Sequence, residues 1–204
     1  MMRIHGIVDQ TAVNGPGNRT TIWTAGCTVA CKGCVNPETW DASKGSEMSE
    51  KDLLSRILLN RTQHNIDGVS FSGGEPLEQF TSLKSLLALI KQQCPALDIL
   101  VYTGRLISDI KDYSVLNYID FLIDGPFIEN RKNLDLLWRG SDNQKIYLLN
   151  ENIKNKMKNY YKLLDESGNL IDRETGAEFT IDTSGEIQLT GFSTMSQRQL
   201  KRDM

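Results

Sequence analysis

Three cysteines, Cys27, Cys31 and Cys34, stand within eight residues, and the fourth of the chain, Cys94, follows sixty residues later. A C-x3-C-x2-C spacing across a short loop containing Gly33 lets three thiolates converge on one small object. Thiolates suit iron–sulfur clusters and zinc. Structural zinc takes four protein ligands, often as two separated pairs. Here the fourth would have to be Cys94, His5 or His64, none of which sits in a second knuckle. A cubane cluster on three cysteines follows a different logic, because one iron stays open to bind something else. Three thiols without a ligand are the plain alternative. A disulfide scaffold is a poor match, since it would be shorter and would spread its cysteines through the chain.

These side chains need elements to hold them. Thr20-Thr21-Ile22-Trp23-Thr24 is β-branched and aromatic, and reads as a strand leading into the cysteine loop. Ser49 can cap a helix, with Asp52 three residues on and Leu53, Leu54, Ile57 and Leu58 as its apolar stripe. Residues 68–72 form a short strand ending in Gly73-Gly74, and a second helix over about 78–93 carries Leu83, Leu86, Leu87 and Ile90, closed by Pro95. Strands follow at 99–102, 120–124 and, after a long loop, 145–149, with a short helix expected at 105–113. Strands alternating with helices predict an α/β architecture with a parallel sheet. The tail breaks this rhythm: 151–162 is Lys- and Asn-rich and helical in pattern, and 178–182 and 186–190 read as a hairpin around a 183–185 turn.

Composition narrows the function. A chain of 204 residues makes one domain, or one with a modest appendage. A complete (β/α)8 barrel takes about 250 residues, so a full barrel is a tight fit. Lys+Arg 23 against Asp+Glu 26 gives a net charge of -3, which offers no electrostatic case for binding nucleic acid. Apolar runs such as 86–90 are far too short for a bilayer, and residues 1–6 have no signal-peptide core. No membrane partner is expected, and the location expected is cytoplasmic.

Several segments carry a family likeness. Cys27-Thr28-Val29-Ala30-Cys31-Lys32-Gly33-Cys34 resembles the cluster motif of the radical S-adenosylmethionine superfamily. Gly15-Pro16-Gly17-Asn18-Arg19 upstream and Asn36-Pro37-Glu38-Thr39-Trp40-Asp41 downstream resemble, more narrowly, the activating enzymes of glycyl radical enzymes. Ser72-Gly73-Gly74-Glu75-Pro76 is similar to the superfamily's second motif. Val101-Tyr102-Thr103-Gly104, Asp124-Gly125-Pro126-Phe127 and Trp138-Arg139-Gly140-Ser141-Asp142-Asn143-Gln144 extend the resemblance to about residues 4–149. Gly33 stands where many radical enzymes carry an aromatic residue, and it is compatible with the activases of this group.

The resemblance implies an incomplete (β/α) barrel of the radical S-adenosylmethionine type over residues 1–150, with the cluster loop at the C-terminal edge of the sheet. A small β-containing C-terminal extension, helix plus hairpin, would occupy 151–204. It further implies a 4Fe–4S cluster on Cys27, Cys31 and Cys34, whose open iron chelates the amino and carboxylate groups of S-adenosylmethionine. Reductive cleavage would release a 5′-deoxyadenosyl radical. That radical would take a hydrogen atom from a glycine of a partner glycyl radical enzyme, an anaerobic ribonucleotide reductase first among the candidates. The electron would come from a donor such as flavodoxin or ferredoxin. Gly73 and Gly74 would let the backbone approach the methionine moiety, Glu75 would help hold its ammonium group, and the backbone of Gly33, Cys34 and Val35 would lie beside the adenine. Strand-end position alone adds Thr103 and Asp124 as cofactor neighbours. No side chain is assigned a catalytic role.

Other readings stay open: a radical enzyme modifying a peptide or small molecule, and a non-catalytic iron–sulfur or zinc module. Trp40 and Trp138 read as packing residues and Cys94 as a core thiol. His5 and His64 show no partner spacing and are assigned nothing. Lys154, Lys156, Lys158 and Lys162 read as a solvated helix face, with a docking surface as the sharper alternative.

Overall fold

The computed structural model describes residues 1–172, 176–181 and 187–191. Seven strands form one open, mixed sheet: β1 (Met2–Thr11), β2 (Arg19–Thr24), β3 (Ser46–Met48), β4 (Gly68–Gly73), β5 (Asp98–Tyr102), β6 (Phe121–Asp124) and β7 (Lys145–Leu148), in the spatial order β3-β1-β2-β4-β5-β6-β7. The central strands β2, β4, β5 and β6 are parallel. Helix α1 (Glu50–His64) links β2 to β4, and α2 (Phe80–Gln93) links β4 to β5, the crossovers that parallel pairing demands. Both crossover helices are predicted by the sequence, and Ser49 caps α1 by accepting from the Asp52 amide at 3.1 Å.

The sheet is not parallel throughout. β7 returns antiparallel to β6, because residues 125–144 connect them as a loop with no crossover helix. β1 runs antiparallel to β2 and pairs on its other side with the short β3. Neither β1 nor β3 is among the strands expected from sequence. The helix expected at 105–113 is replaced by 3-10 turns at Ile107–Asp109 and Tyr113–Tyr118. Carboxylates hold the turns: Asp124, from the end of β6, accepts from Ile107 N at 2.8 Å, and Asp112 accepts locally from Ser114 N at 2.8 Å.

Strand alternation separates two faces. Ile22, Phe71, Val101 and Leu122 join the cores of α1 and α2 in one apolar cluster. Leu100, Phe121 and Ile123 look the other way, onto Leu137 and Trp138 of the 125–144 loop and onto Ile153 and Met157 of α3 (Glu151–Asn159). Trp138 packs edge-to-face on Phe121 and is buried, as expected. Cys94 is a core thiol that accepts from Arg61 at 2.9 Å.

The sheet's second face also buries polar residues at the strand starts. Arg19 is fully buried and all five of its N–H groups are used: on Ser70, on the carbonyls of Pro16, Val69 and Asp98, and on the Asp98 carboxylate at 2.5 Å. Lys156 closes the same cluster at 2.6 Å from Asp98, so this lysine does not belong to a solvated face. Lys158 and Lys162 are exposed, and Lys154 pairs with Glu151.

β8 (Ala177–Ile181) and β9 (Ile187–Gly191) pair as a separate antiparallel two-stranded sheet. The 183–185 turn expected between them lies outside the described residues. Thr190 meets Thr11 at 3.4 Å between hydroxyls, and the Ala12 amide donates to Glu178 at 3.1 Å. Among the described residues, no helix is long and apolar enough to cross a membrane.

Candidate functional site

The cysteine loop leaves β2 at its C-terminal end and is clasped from behind. The amides of Gly26 and Cys27 donate to the carbonyls of Thr39 and Trp40 at 2.8 and 3.1 Å, which gives the 36–41 segment its local work. From the front, Glu78 accepts from Thr28 through both its amide, at 2.9 Å, and its hydroxyl, at 2.5 Å. Glu78 also receives Arg105 at 3.3 Å, tying the loop to the segment after β5.

A cleft of about 960 Å³, open to solvent, lies under this loop. Its lining brings together Cys27, Cys31, Cys34 and Val35 with Gly73, Gly74, Glu75 and Thr103. Ligand sites commonly take this place, beyond the C-terminal ends of parallel strands. Two of the expected residues stand elsewhere. Gly33, in the left-handed region at φ 75°, backs onto the Glu129 side chain. Asp124 shares the helix-side face of β6 with Leu122, where it accepts from Ile107, because period-two alternation turns it away from the cleft.

The glycines answer first to the protein itself. A Cβ on Gly73 would lie 2.7 Å from the Thr24 backbone, and Gly73 holds φ 96°. A Cβ on Gly74 would overlap the Gly26 carbonyl. The ends of β2 and β4 therefore press together without space for a side chain. Glu75 is likewise engaged internally and is 1% exposed. It accepts from Leu77 N at 3.0 Å, from the Thr103 hydroxyl at 2.9 Å and from Gly104 N at 2.8 Å. Burial pushes its carboxyl above the ordinary value, against the pull of these donors. Three acceptor positions are occupied and roughly one of about four remains.

Burial also raises the thiol pKa of Cys27, Cys31 and Cys34. Cys31 is pushed further by the charge of Cys27, and Cys34 by that of Cys31. The Asn36 amide, 3.4 Å from the Cys34 sulfur, favours that thiolate, as does Trp40. Trp40 lines the cleft and is half-buried, so it does more than fill the core. Among the described residues, no group of three or more His, Cys, Asp or Glu is arranged around a single metal ion.

Sequence reasoning passed over Asn14, Trp23, Ser72, Tyr102 and the Thr190–Gly191 pair, all of which line the cleft. Trp23, Ser72 and Tyr102 could have been found by alternation. They occupy the sheet face that Leu100 marks, one register step below the Gly73–Gly74 turn. Asn14 and Thr190 had no such signal, being placed by tertiary contacts.

Comparison with known proteins shows the family. The family described as "4Fe-4S single cluster domain" matches residues 13–147. The chain is 37% identical to the anaerobic ribonucleoside-triphosphate reductase-activating protein of Salmonella typhi, over 72% of this chain and 99% of that protein. It is 35% identical to the protein of the same name from Escherichia coli (strain K12), again over 72% and 99%, and 34% identical to that of Enterobacteria phage T4, over 66% and 86%. The chain belongs to the 4Fe-4S single cluster domain family and, within it, to the anaerobic ribonucleoside-triphosphate reductase-activating proteins.

Proposed function

We propose that this protein is a radical S-adenosylmethionine enzyme that installs a glycyl radical on a partner, an anaerobic ribonucleoside-triphosphate reductase. The observation that carries the reading is the convergence of Cys27, Cys31 and Cys34 with the Gly73–Glu75 turn on one open cleft. The names of the relatives supply the partner class. The open seven-stranded sheet, with its cleft at the C-terminal ends of the four central parallel strands, is compatible with a partial barrel over 1–150 and an extension over 151–204.

The residues fit the group. Three half-buried thiols form a soft donor set suited to iron–sulfur ligation, and Cys94 is sequestered in the core. Cys27, Cys31 and Cys34 would hold a 4Fe–4S cluster with one iron left open for S-adenosylmethionine. Held there, the cluster would supply one-electron chemistry for reductive cleavage of S-adenosylmethionine and hydrogen-atom removal from a partner glycine. The chain's own part is positional. The 36–41 clasp and Glu78 fix the thiols relative to β2, and the Gly73–Gly74 contact fixes the turn. The last acceptor position on Glu75 suits an ammonium group, and the peptide around Cys34 and Val35 offers a wall to a nucleoside. The expected setting is the cytoplasm, with a one-electron donor of the flavodoxin or ferredoxin class.

Anaerobic reconstitution tests this directly. About four irons and four sulfides per chain are expected, with S-adenosylmethionine cleavage on reduction. A glycyl radical should appear in electron paramagnetic resonance once the reductase is added. Cys31→Ala should remove both the cluster and the cleavage. One zinc per chain without sulfide would overturn the reading, and cleavage with no partner radical would remove its activase half.

A further inference from the structure

The cleft contains two polar atoms that the fold leaves unused. The Tyr102 hydroxyl and the Asn14 side-chain nitrogen are each buried without a hydrogen-bond partner among the described residues, and both residues line the cleft. Buried polar groups in native proteins are nearly always paired, so two unpaired ones in one cleft mark a place for a ligand. They lie below the cysteine loop. Tyr102 stands beside Ser72 in the sheet, and the Asn14 carbonyl accepts from the Ser70 hydroxyl at 2.6 Å, one step deeper on the same face.

The type of atom narrows the ligand. Asn14 Nδ2 can only donate. The Tyr102 phenol, raised well above its ordinary pKa by burial, keeps its proton and can donate as well. Together they offer two donors, which suit carbonyl oxygens. A glycine residue has no side chain to grip, so only its flanking amides can register its Cα. We propose that Tyr102 and Asn14 form a main-chain recognition subsite that takes the carbonyl oxygens on either side of the glycine in the partner's substrate segment. The assignment rests on the activase reading for the identity of that segment, though the donor pair itself does not depend on it. Trp23 and the Thr190–Gly191 pair complete the walls. Thr190 and Gly191 lie outside the 13–147 family match.

Tyr102→Phe deletes one unpartnered oxygen and is the cleanest test. In the reconstituted holoenzyme, the glycyl radicals formed per S-adenosylmethionine cleaved should fall at least about tenfold, and the thermal midpoint should not drop. An unchanged ratio, with cleavage and radical formation falling in parallel, would overturn the subsite. So would a lowered midpoint with the ratio intact, which marks a structural hydroxyl. A second measurement stands apart from the activase reading. N-acetylglycinamide, titrated into the full-length protein and followed by tryptophan fluorescence, should bind at least about threefold more weakly to Tyr102→Phe and to Asn14→Ala. Equal binding to all three proteins overturns the proposal even if the wild type makes radical. Weakened binding beside a wild type that makes no radical would sustain the amide subsite and remove the activase reading.

Discussion

Two ends of the same parallel strands bury polar residues and treat them in opposite ways. At the strand starts, Arg19 spends all five donors on protein acceptors, and Asp98 gathers Arg19, Lys156 and Tyr161. On the cleft side of the same face, Tyr102 and Asn14 bury atoms that nothing in the described fold answers. One end is closed upon itself and holds the extension against the sheet. The other leaves two buried polar atoms without a partner in the described fold. Saturated and unsaturated polarity thus share one sheet face, and burial alone does not tell them apart.

The largest expected effect lies at the saturated pole. Asp98→Ala leaves Arg19 buried without its carboxylate and should cost about 3–5 kcal/mol, measured by urea unfolding of the apoprotein. A loss below about 1 kcal/mol would mean that water or backbone replaces the pair, and the contrast between the poles would fail.

A second way to break the comparison uses its two buried carboxylates. Burial raises Asp98, but Arg19 and Lys156 more than reverse this and hold it below the ordinary range. Its contribution to stability is therefore present above the unfolded value of about 4 and disappears as pH falls through the depressed folded value. Glu75 is raised, so folding favours its protonated form; that contribution exists below the unfolded value and is lost as pH rises through the raised one. Stabilities of wild type, Asp98→Asn and Glu75→Gln between about pH 3 and pH 8 should give differences that slope in opposite directions. Slopes of one sign would erase the distinction.

The smallest effect concerns Glu78, which touches no ligand. Glu78→Ala removes the Thr28 contacts at the edge of the cysteine loop and should cost about 1 kcal/mol of stability. The telling measurement is alkylation of Cys27 in the apoprotein, expected to speed up as the loop loosens, with Glu78→Gln restoring the slower rate. Unaltered alkylation would assign the positioning to the 36–41 clasp alone.

Much of this was legible in the residues. The helix around Leu53 and Ile57 and its cap are written in periodicity and in Ser49, and the thiols announce themselves by spacing. The outermost strands were less readable for physical reasons. Met2, Ile4, Val8 and Thr11 face inward in β1, but bulges between Ile4 and Gly6 and between Val8 and Thr11 break the alternation. Strand direction is not encoded within a strand, so β7 could not be seen to run backwards from 145–148 alone. In the site, the internal engagement of Glu75 is not legible because its donors come from Leu77, Thr103 and Gly104, two of them just past the end of β5. Asp124 looked like a cleft residue because strand ends had been counted and strand faces had not.

The contact of Gly73 and Gly74 with Thr24 and Gly26 has a mechanical consequence. The Gly74 amide donates to the Thr24 carbonyl and the Glu75 amide to that of Gly26, both at 2.8 Å, so the turn and the root of the cysteine loop are stitched backbone to backbone. Neither segment can be transplanted alone. A scaffold grafted with residues 27–34 but lacking the paired turn would inherit the thiols without the hinge-free joint that keeps their spacing from the rest of the cleft constant.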